Sequence, residues 1–314
     1  MLTFKSLELK DKDIINSYLR EQNYRASDLC FANLYCWGEK FRTQFAITPD
    51  WLFIRFKDNN GRNSYLKPVG RGDLKEAIAL IQEDHSSFNT PFQMRGLTKE
   101  MITEIESVVT GRFDYKLNRS VSDYIYTTEK LIHLTGKKLQ SKRNHINRFK
   151  RENEWKYYSL TGNRLMVEEC KKMLEQWMEV HKEEQDPSLV YDDHATTLML
   201  NNFEYLDLKG GMICVDGEIA AFTIAEHLTD DTIVVHVEKA FTDIHGAYTI
   251  INQQFVEHEA AEYLYVNREE DMGMENLRQA KLSYPTYFLK SIMRDLNNLS
   301  SVVIYSLRIT INWV

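Results

Sequence analysis

Prolines, glycines, cysteines and long apolar runs are all scarce in this sequence. Five prolines and thirteen glycines in 314 residues argue against extended linkers and disordered tracts. The longest apolar runs are about strand length, well short of the ~20 residues that span a bilayer. The opening MLTFKSLELKDKD has no apolar signal region, so a cytoplasmic protein is expected. Cys30, Cys36, Cys170 and Cys214 show neither C-x-x-C nor Cys/His ligand spacing. They are therefore expected to be buried free thiols in a reducing compartment, with no metal site.

The chain is long for one core and comfortable for two. Its formal charge is −7, which argues against a general nucleic-acid binder. The charge is uneven, however. KKLQSKRNHINRFKR, residues 137–151, holds seven Lys/Arg and no acidic residue, and the remainder carries −14. Lys138, Lys142 and Arg148–Arg151 can share a broad helical face, with Leu139, Ile146 and Phe149 anchoring another, and Arg143 is a further cation available to an anion. Asn144 could add hydrogen bonds. Phosphate binding and a merely solvated helix both remain open for this stretch.

Periodicity places the densest run of elements between Gly210 and Ser283. Strands at Met212–Val215 and Ile219–Ala225 flank Asp216-Gly217, a pair suited to a tight hairpin. A strand from Thr232, a helix (Gly246–Ala261), a strand (Tyr263–Val266) and a helix (Gly273–Ser283) follow. The first half shows the same order. Strands at Gln44–Thr48, Trp51–Lys57 and Ser64–Pro68 precede a helix (Asp73–Asp84), a strand (Pro91–Arg95) and a helix (Thr98–Thr110). Ser27 is read as the N-cap of an earlier helix. The order is that of a GNAT-type N-acyltransferase core, in which the third and fourth strands splay apart to admit an acyl donor. The expected fold is α+β with mixed sheets, as two tandem GNAT-like acyl-CoA N-acyltransferase domains. Residues 1–130 form the first, 131–152 a basic inter-domain helix, and 153–314 the second, with the active cleft.

Two segments carry a more specific likeness. GKKLQSKRNHINRF (Gly136–Phe149) and VNREEDMGMENLRQAKLSYPTYFLK (Val266–Lys290) resemble signature stretches of soluble relatives of the phosphatidylglycerol lysyltransferase C-terminal domain. That group belongs with the Fem-type peptidyltransferases. The resemblance implies tandem GNAT-like domains that can exchange C-terminal strands, and aminoacyl-tRNA as donor. The lysyltransferases' membrane-spanning half has no counterpart in this sequence. The implied acceptor is a small molecule or lipid headgroup with an amine or hydroxyl.

Acylation needs a neutral nucleophile, a polarised carbonyl and a leaving group that departs protonated. His236 and Glu238, two apart on a strand, share a face and are candidates for taking the nucleophile's proton. Tyr284 and Tyr287 stand where GNAT enzymes often carry a proton donor, and Tyr284 is the preferred candidate. Gly246 opens the helix where a pyrophosphate loop would lie, but the usual Gln/Arg-x-x-Gly-x-Gly/Ala pattern is only half present. This favours aminoacyl-tRNA over acyl-CoA as donor. Asn267, Arg268, Arg278 and Lys281 are further candidates for substrate or phosphate binding. An acetyl-CoA-dependent N-acetyltransferase and a non-catalytic module for a phosphorylated ligand remain the alternatives.

Overall fold

The computed structural model describes residues 1–116, 118–181, 187–286 and 310–313, the side chains of 187–189 and 310–313 excepted. The chain forms two compact units. The first comprises Met1–Tyr124, Glu270–Arg278 and the C-terminal strand, and the second Ile125–Glu269 with residues 279–286. The division therefore falls at Tyr124, and the basic stretch is part of the second unit rather than a separate connector.

In the first unit, β1 (Lys5–Ser6), α1 (Lys12–Leu19), α2 (Phe31–Cys36) and α3 (Gly38–Phe41) precede β2 (Gln44–Ile47), β3 (Trp51–Lys57), β4 (Asn63–Tyr65) and β5 (Val69–Gly70). The sheet runs β1-β2-β3-β4, with β5 also on β3. Helix α4 (Leu74–His85) begins at Asp73, whose carboxylate accepts from the N–H groups of Lys75 and Glu76, as an N-cap should. Ser27 is not a helix N-cap. It opens a short 3₁₀ turn, and Cys30 precedes α2. The expected strand at Pro91–Arg95 shrinks to a parallel bridge between Tyr65 and Met94. Then come α5 (Lys99–Val108), capped by Thr98, and β6 (Phe113–Lys116).

The second unit opens with β7 (Ile125–Thr127), α6 (Thr128–His133), α7 (Gln140–Glu152), β8 (Trp155–Ser159), α8 (Arg164–Val180) and α9 (Pro187–Asn201). It continues with β9 (Lys209–Val215), β10 (Glu218–Thr229), β11 (Thr232–Ala240), α10 (Ala247–Glu259), β12 (Tyr265–Asn267) and α11 (Glu275–Leu282), the last shared between units. Asp216 and Gly217, at φ 54° and 93°, make the β9–β10 turn that the sequence predicts. The sheet order is β7-β12-β11-β10-β9-β8, antiparallel except for the parallel β11–β12 pair. This is the GNAT arrangement. Leu139, Ile146 and Phe149 are buried as expected, and so fix α7 to its own unit by apolar contact.

The C-terminal strands are exchanged. β7, which ends the first half of the sequence, pairs with β12 in the second unit. The last strand, β13 (Thr310–Trp313), pairs with β6 in the first. The sequence also predicts closing strands at Tyr287–Met293 and Val302–Trp313; the first and most of the second lie outside the described residues. No helix among the described residues is long and apolar enough to cross a membrane.

A buried carboxylate organises the β3–β4 end of the first unit. Asp58 accepts from the backbone N–H groups of Asn60 and Arg62, from Gln93 Nε2 and from the Arg95 guanidinium at 2.6 Å. Burial alone would raise its pKa, but these donors hold it below the ordinary value. Its stabilisation is thus present above the unfolded carboxyl pKa, about 3.9, and disappears as pH falls through the lower folded value. Asp58→Asn should cost about 3 kcal/mol near pH 7. In urea unfolding at stepped pH, the gap to wild type should narrow below about pH 4.

Candidate functional site

β11 is long, yet it pairs with β12 only where Thr232–Val234 lie beside Tyr265–Asn267. Beyond Val234 the two parallel strands part and leave a notch along β11. A bulge lies at the same point. Ile224 of β10 faces Val237 and Ala225 faces Val235, so His236 is an extra residue on β11. A bulge twists its strand and re-aims the side chain there.

His236 is held between two carboxylates. Its Nδ1 lies 2.8 Å from Glu269 Oε1 and its Nε2 3.4 Å from Glu226 Oε2. Each ring nitrogen thus has an acceptor whichever carries the proton. Glu269 reaches it from a left-handed backbone, φ 55°, and its N–H donates to Asn267 Oδ1 at 2.7 Å. A non-glycine residue in that region costs on the order of 1 kcal/mol.

A second cluster lies two residues along β11. Glu238 Oε1 is 2.8 Å from Arg268 Nη2, and its Oε2 accepts from Asn252 Nδ2 at 3.1 Å. Both members of the ion pair are 13% exposed. The Arg268 guanidinium lies 5.7 Å from the Tyr126 ring and 5.4 Å from that of Tyr284, and the Lys142 ammonium 4.5 Å from the latter. Arg268 Nη1 and Asn252 Oδ1 are buried without a hydrogen-bond partner among the described residues. Burial, the Arg268 charge next, depresses the Lys142 pKa, and Glu238 opposes them. Burial pushes Tyr284 up to about 12, with Arg268 pulling the other way. Lys281 donates to the Arg268 carbonyl, while Tyr126 OH donates to the Lys281 carbonyl at 2.8 Å.

The structure thus brings together His236, Glu238, Tyr284, Lys142, Asn267, Arg268 and Lys281. The other candidates stand apart. Arg143 donates to the carbonyls of Leu134 and Gly136 and to Gln140, so its donors are taken up by the preceding turn. Arg148 pairs with Glu152 at 2.7 Å, and exposed Asn144 accepts from Gln140. Lys138 is exposed. Arg278 belongs to the first unit, where it grips Asp271 with two hydrogen bonds. Gly246, at φ 90°, starts α10 beneath α7, and a Cβ there would lie 3.1 Å from the His145 carbonyl oxygen and 3.3 Å from Phe149 Cβ. The chain's own helix therefore makes the close approach that a pyrophosphate would make in an acyl-CoA loop. Tyr287 lies outside the described residues.

Sequence reasoning missed Glu226, Asn252 and Tyr126 as members of these clusters. Asn252 left a readable signal, a polar residue on the apolar side of α10. Glu226 interrupts an apolar strand, but its partner is determined by sheet register. The first unit holds a counterpart. Arg95 follows the Tyr65–Met94 bridge as Arg268 follows the β11–β12 pair, and Gly96 (φ 69°) stands where Glu269 stands. There the arginine meets Asp58, which four other groups already serve.

A family model described as "Phosphatidylglycerol lysyltransferase, C-terminal" matches residues 20–292. A crystal structure of a conserved protein of unknown function from Bacteroides thetaiotaomicron VPI-5482 is 35% identical over the full length of both chains, with TM-score 0.87. The structure of L-PGS from Bacillus licheniformis superposes with TM-score 0.58 at 15% identity, over 96% of this chain and 92% of that one, a likeness of fold. An uncharacterized protein from Mycoplasmoides gallisepticum is 23% identical over 195 residues. This match spans 58% of each chain, a little over half the length of that curated relative.

Packing at Gly246 is open to a direct test. Gly246→Ala combines a disfavoured φ with a tight Cβ contact, and should destabilise the protein by about 1–3 kcal/mol. Thermal unfolding should register this as a loss of several degrees.

Proposed function

The chain belongs to the phosphatidylglycerol lysyltransferase C-terminal family, and from that membership and the β11–β12 notch we propose that its second unit transfers an acyl or aminoacyl group from an activated ester to an amine or hydroxyl. The carrying observation is the coincidence of the parted parallel strands with the bulge at His236. A carbonyl seated in the notch would meet main-chain N–H groups of β11 that no β12 carbonyl takes, the kind of fixed dipole that stabilises a tetrahedral oxyanion. Glu238 takes the proton from the attacking amine or hydroxyl. A carboxylate offers about four lone-pair sites, so the two contacts it makes leave room for the nucleophile. Tyr284 returns a proton to the leaving oxygen.

The donor we favour is an aminoacyl-tRNA. A ribose oxygen is a poor leaving group unless protonated, which suits a phenol near 12. A thiolate leaves readily on its own, and the α10 start in contact with α7 gives a coenzyme A pyrophosphate little to grip. Exposed Lys138, Arg148 and Lys150 on and beside α7 would meet RNA phosphates. The acceptor is a small molecule or a lipid headgroup. A second reading, a binding module without turnover, draws support from the donors on both oxygens of Glu238.

Incubating the purified chain with tRNA charged with labelled amino acids, or with labelled acetyl-CoA, against a panel of amines and hydroxyl compounds separates these readings. Transfer from tRNA should fall about 100-fold or more in Glu238→Gln, with the melting temperature little changed. Transfer from acetyl-CoA alone would move the donor assignment, and no transfer from either favours the binding module. Replacing Lys138, Arg148 and Lys150 by Gln should flatten the salt dependence of tRNA binding by about 0.7–0.9 log units per lost phosphate contact. An unchanged slope would remove α7 from the RNA contact.

A further inference from the structure

The second sheet ends in an open edge. β8, with the sequence WKYYS, pairs with β9 alone and holds five residues, against three in β7 at the opposite edge. Asp216 N–H donates to the Glu154 carbonyl and Leu160 N–H to the Gly210 carbonyl, both at 2.9 Å. Antiparallel ladders alternate, so these two bonds fix the parity of the whole strand. Glu154, Lys156, Tyr158 and Leu160 turn their main chain toward β9. Trp155, Tyr157 and Ser159 turn theirs outward, and those three N–H and three C=O groups have no partner among the described residues. Proline and a bulge, which blunt many edges, are both absent from β8, and Lys156 is its one charge. The outward residues are already held in place. Trp155 lies 6.1 Å from the Phe149 ring, while Tyr157 stacks on His258 at 4.5 Å and donates to Glu259 at 3.3 Å. Docking there would cost little ordering of side chains.

We infer that β8 is a docking edge for a second copy of this chain, paired antiparallel about a twofold axis through Tyr157. The open segment is its own complement. Trp155 faces Ser159 of the other copy, Tyr157 faces its counterpart, and each facing pair exchanges two main-chain hydrogen bonds. A register shifted by two residues would call on Asn153 or Thr161. Both are committed already, since Asn153 N–H goes to the Phe149 carbonyl and Thr161 N–H to Ser159 Oγ. The twofold register alone therefore uses every open group. It also sets Lys156 across from Tyr158 of the other copy, a cation beside a ring, and no two like charges face each other directly. Lys150 lies over the Trp155 ring at 5.3 Å. Pairing thus brings α7 of both copies to one face of a joined sheet and lengthens its run of cations. None of this depends on the proposed transfer reaction.

Sedimentation equilibrium of the intact chain from about 1 to 500 µM should show a mass rising from one chain toward two. Over the same range, hydrogen exchange at the Trp155, Tyr157 and Ser159 amides should slow by about tenfold or more. The Lys156 and Tyr158 amides, bonded to β9 in either state, should change least. Ser159→Pro removes an outward N–H from an edge strand, a position where proline is tolerated, and should weaken the association by about tenfold or more. A mass of one chain throughout, association that leaves the three outward amides exchanging as in the monomer, or association unmoved by a folded Ser159→Pro would overturn the docking edge. The exchange measurement uses the wild-type chain, so it decides the matter even if the variant fails to fold.

Discussion

A guanidinium packed between tyrosine rings must be neutralised, and much of the second unit is arranged around that requirement. Arg268 follows β12, its carboxylate partner comes from β11, and Asn252 of α10 holds the other oxygen of that carboxylate. Tyr126 of β7 stacks beside it and is tied through the Lys281 carbonyl to α11, whose ammonium returns to the Arg268 carbonyl. Five elements thus converge on one ion pair. Such a pair is weak evidence for stability, because apolar groups of similar size often serve as well, whereas removing one partner costs about 3–5 kcal/mol.

The two units treat the same position differently. In each, an arginine follows the parallel pairing and the next residue is left-handed. In the first unit that next residue is Gly96, which bears the conformation at no cost, and Arg95 sits on a carboxylate saturated with donors. In the second it is Glu269, which bears strain and spends its carboxylate on His236. Backbone strain at this position occurs in one copy and is absent from the other.

Much of the fold was legible in the chain. Apolar alternation, the Asp216-Gly217 turn and the Asp73 and Thr98 caps are local signals, and the elements they mark appear close to where they are expected. Exchange of the last strands came as an implication of family resemblance, since no local pattern says which sheet a strand joins. The site was legible in its strand-borne members, because His236 and Glu238 advertise a shared face. It was less legible in the basic stretch, where seven like charges look interchangeable until packing distinguishes them. Arg143 closes a turn, Arg148 pairs with the next turn of its own helix, and Lys142 alone turns inward over Tyr284. Register and burial made those distinctions, and neither is written in residue type.

Strand exchange also sets a timetable. β6 acquires its β13 partner only once Thr310 has been made, although Lys116 left the synthetic machinery long before. At about 5–20 residues per second, that interval is roughly 10–40 s. During it the first unit carries an open strand edge, the kind of surface that recruits other chains. Phe113–Lys116 is short, and Asp114 and Lys116 place charge on it. Such charges blunt an exposed edge, so the segment that waits longest for its partner is also poorly suited to accept a wrong one.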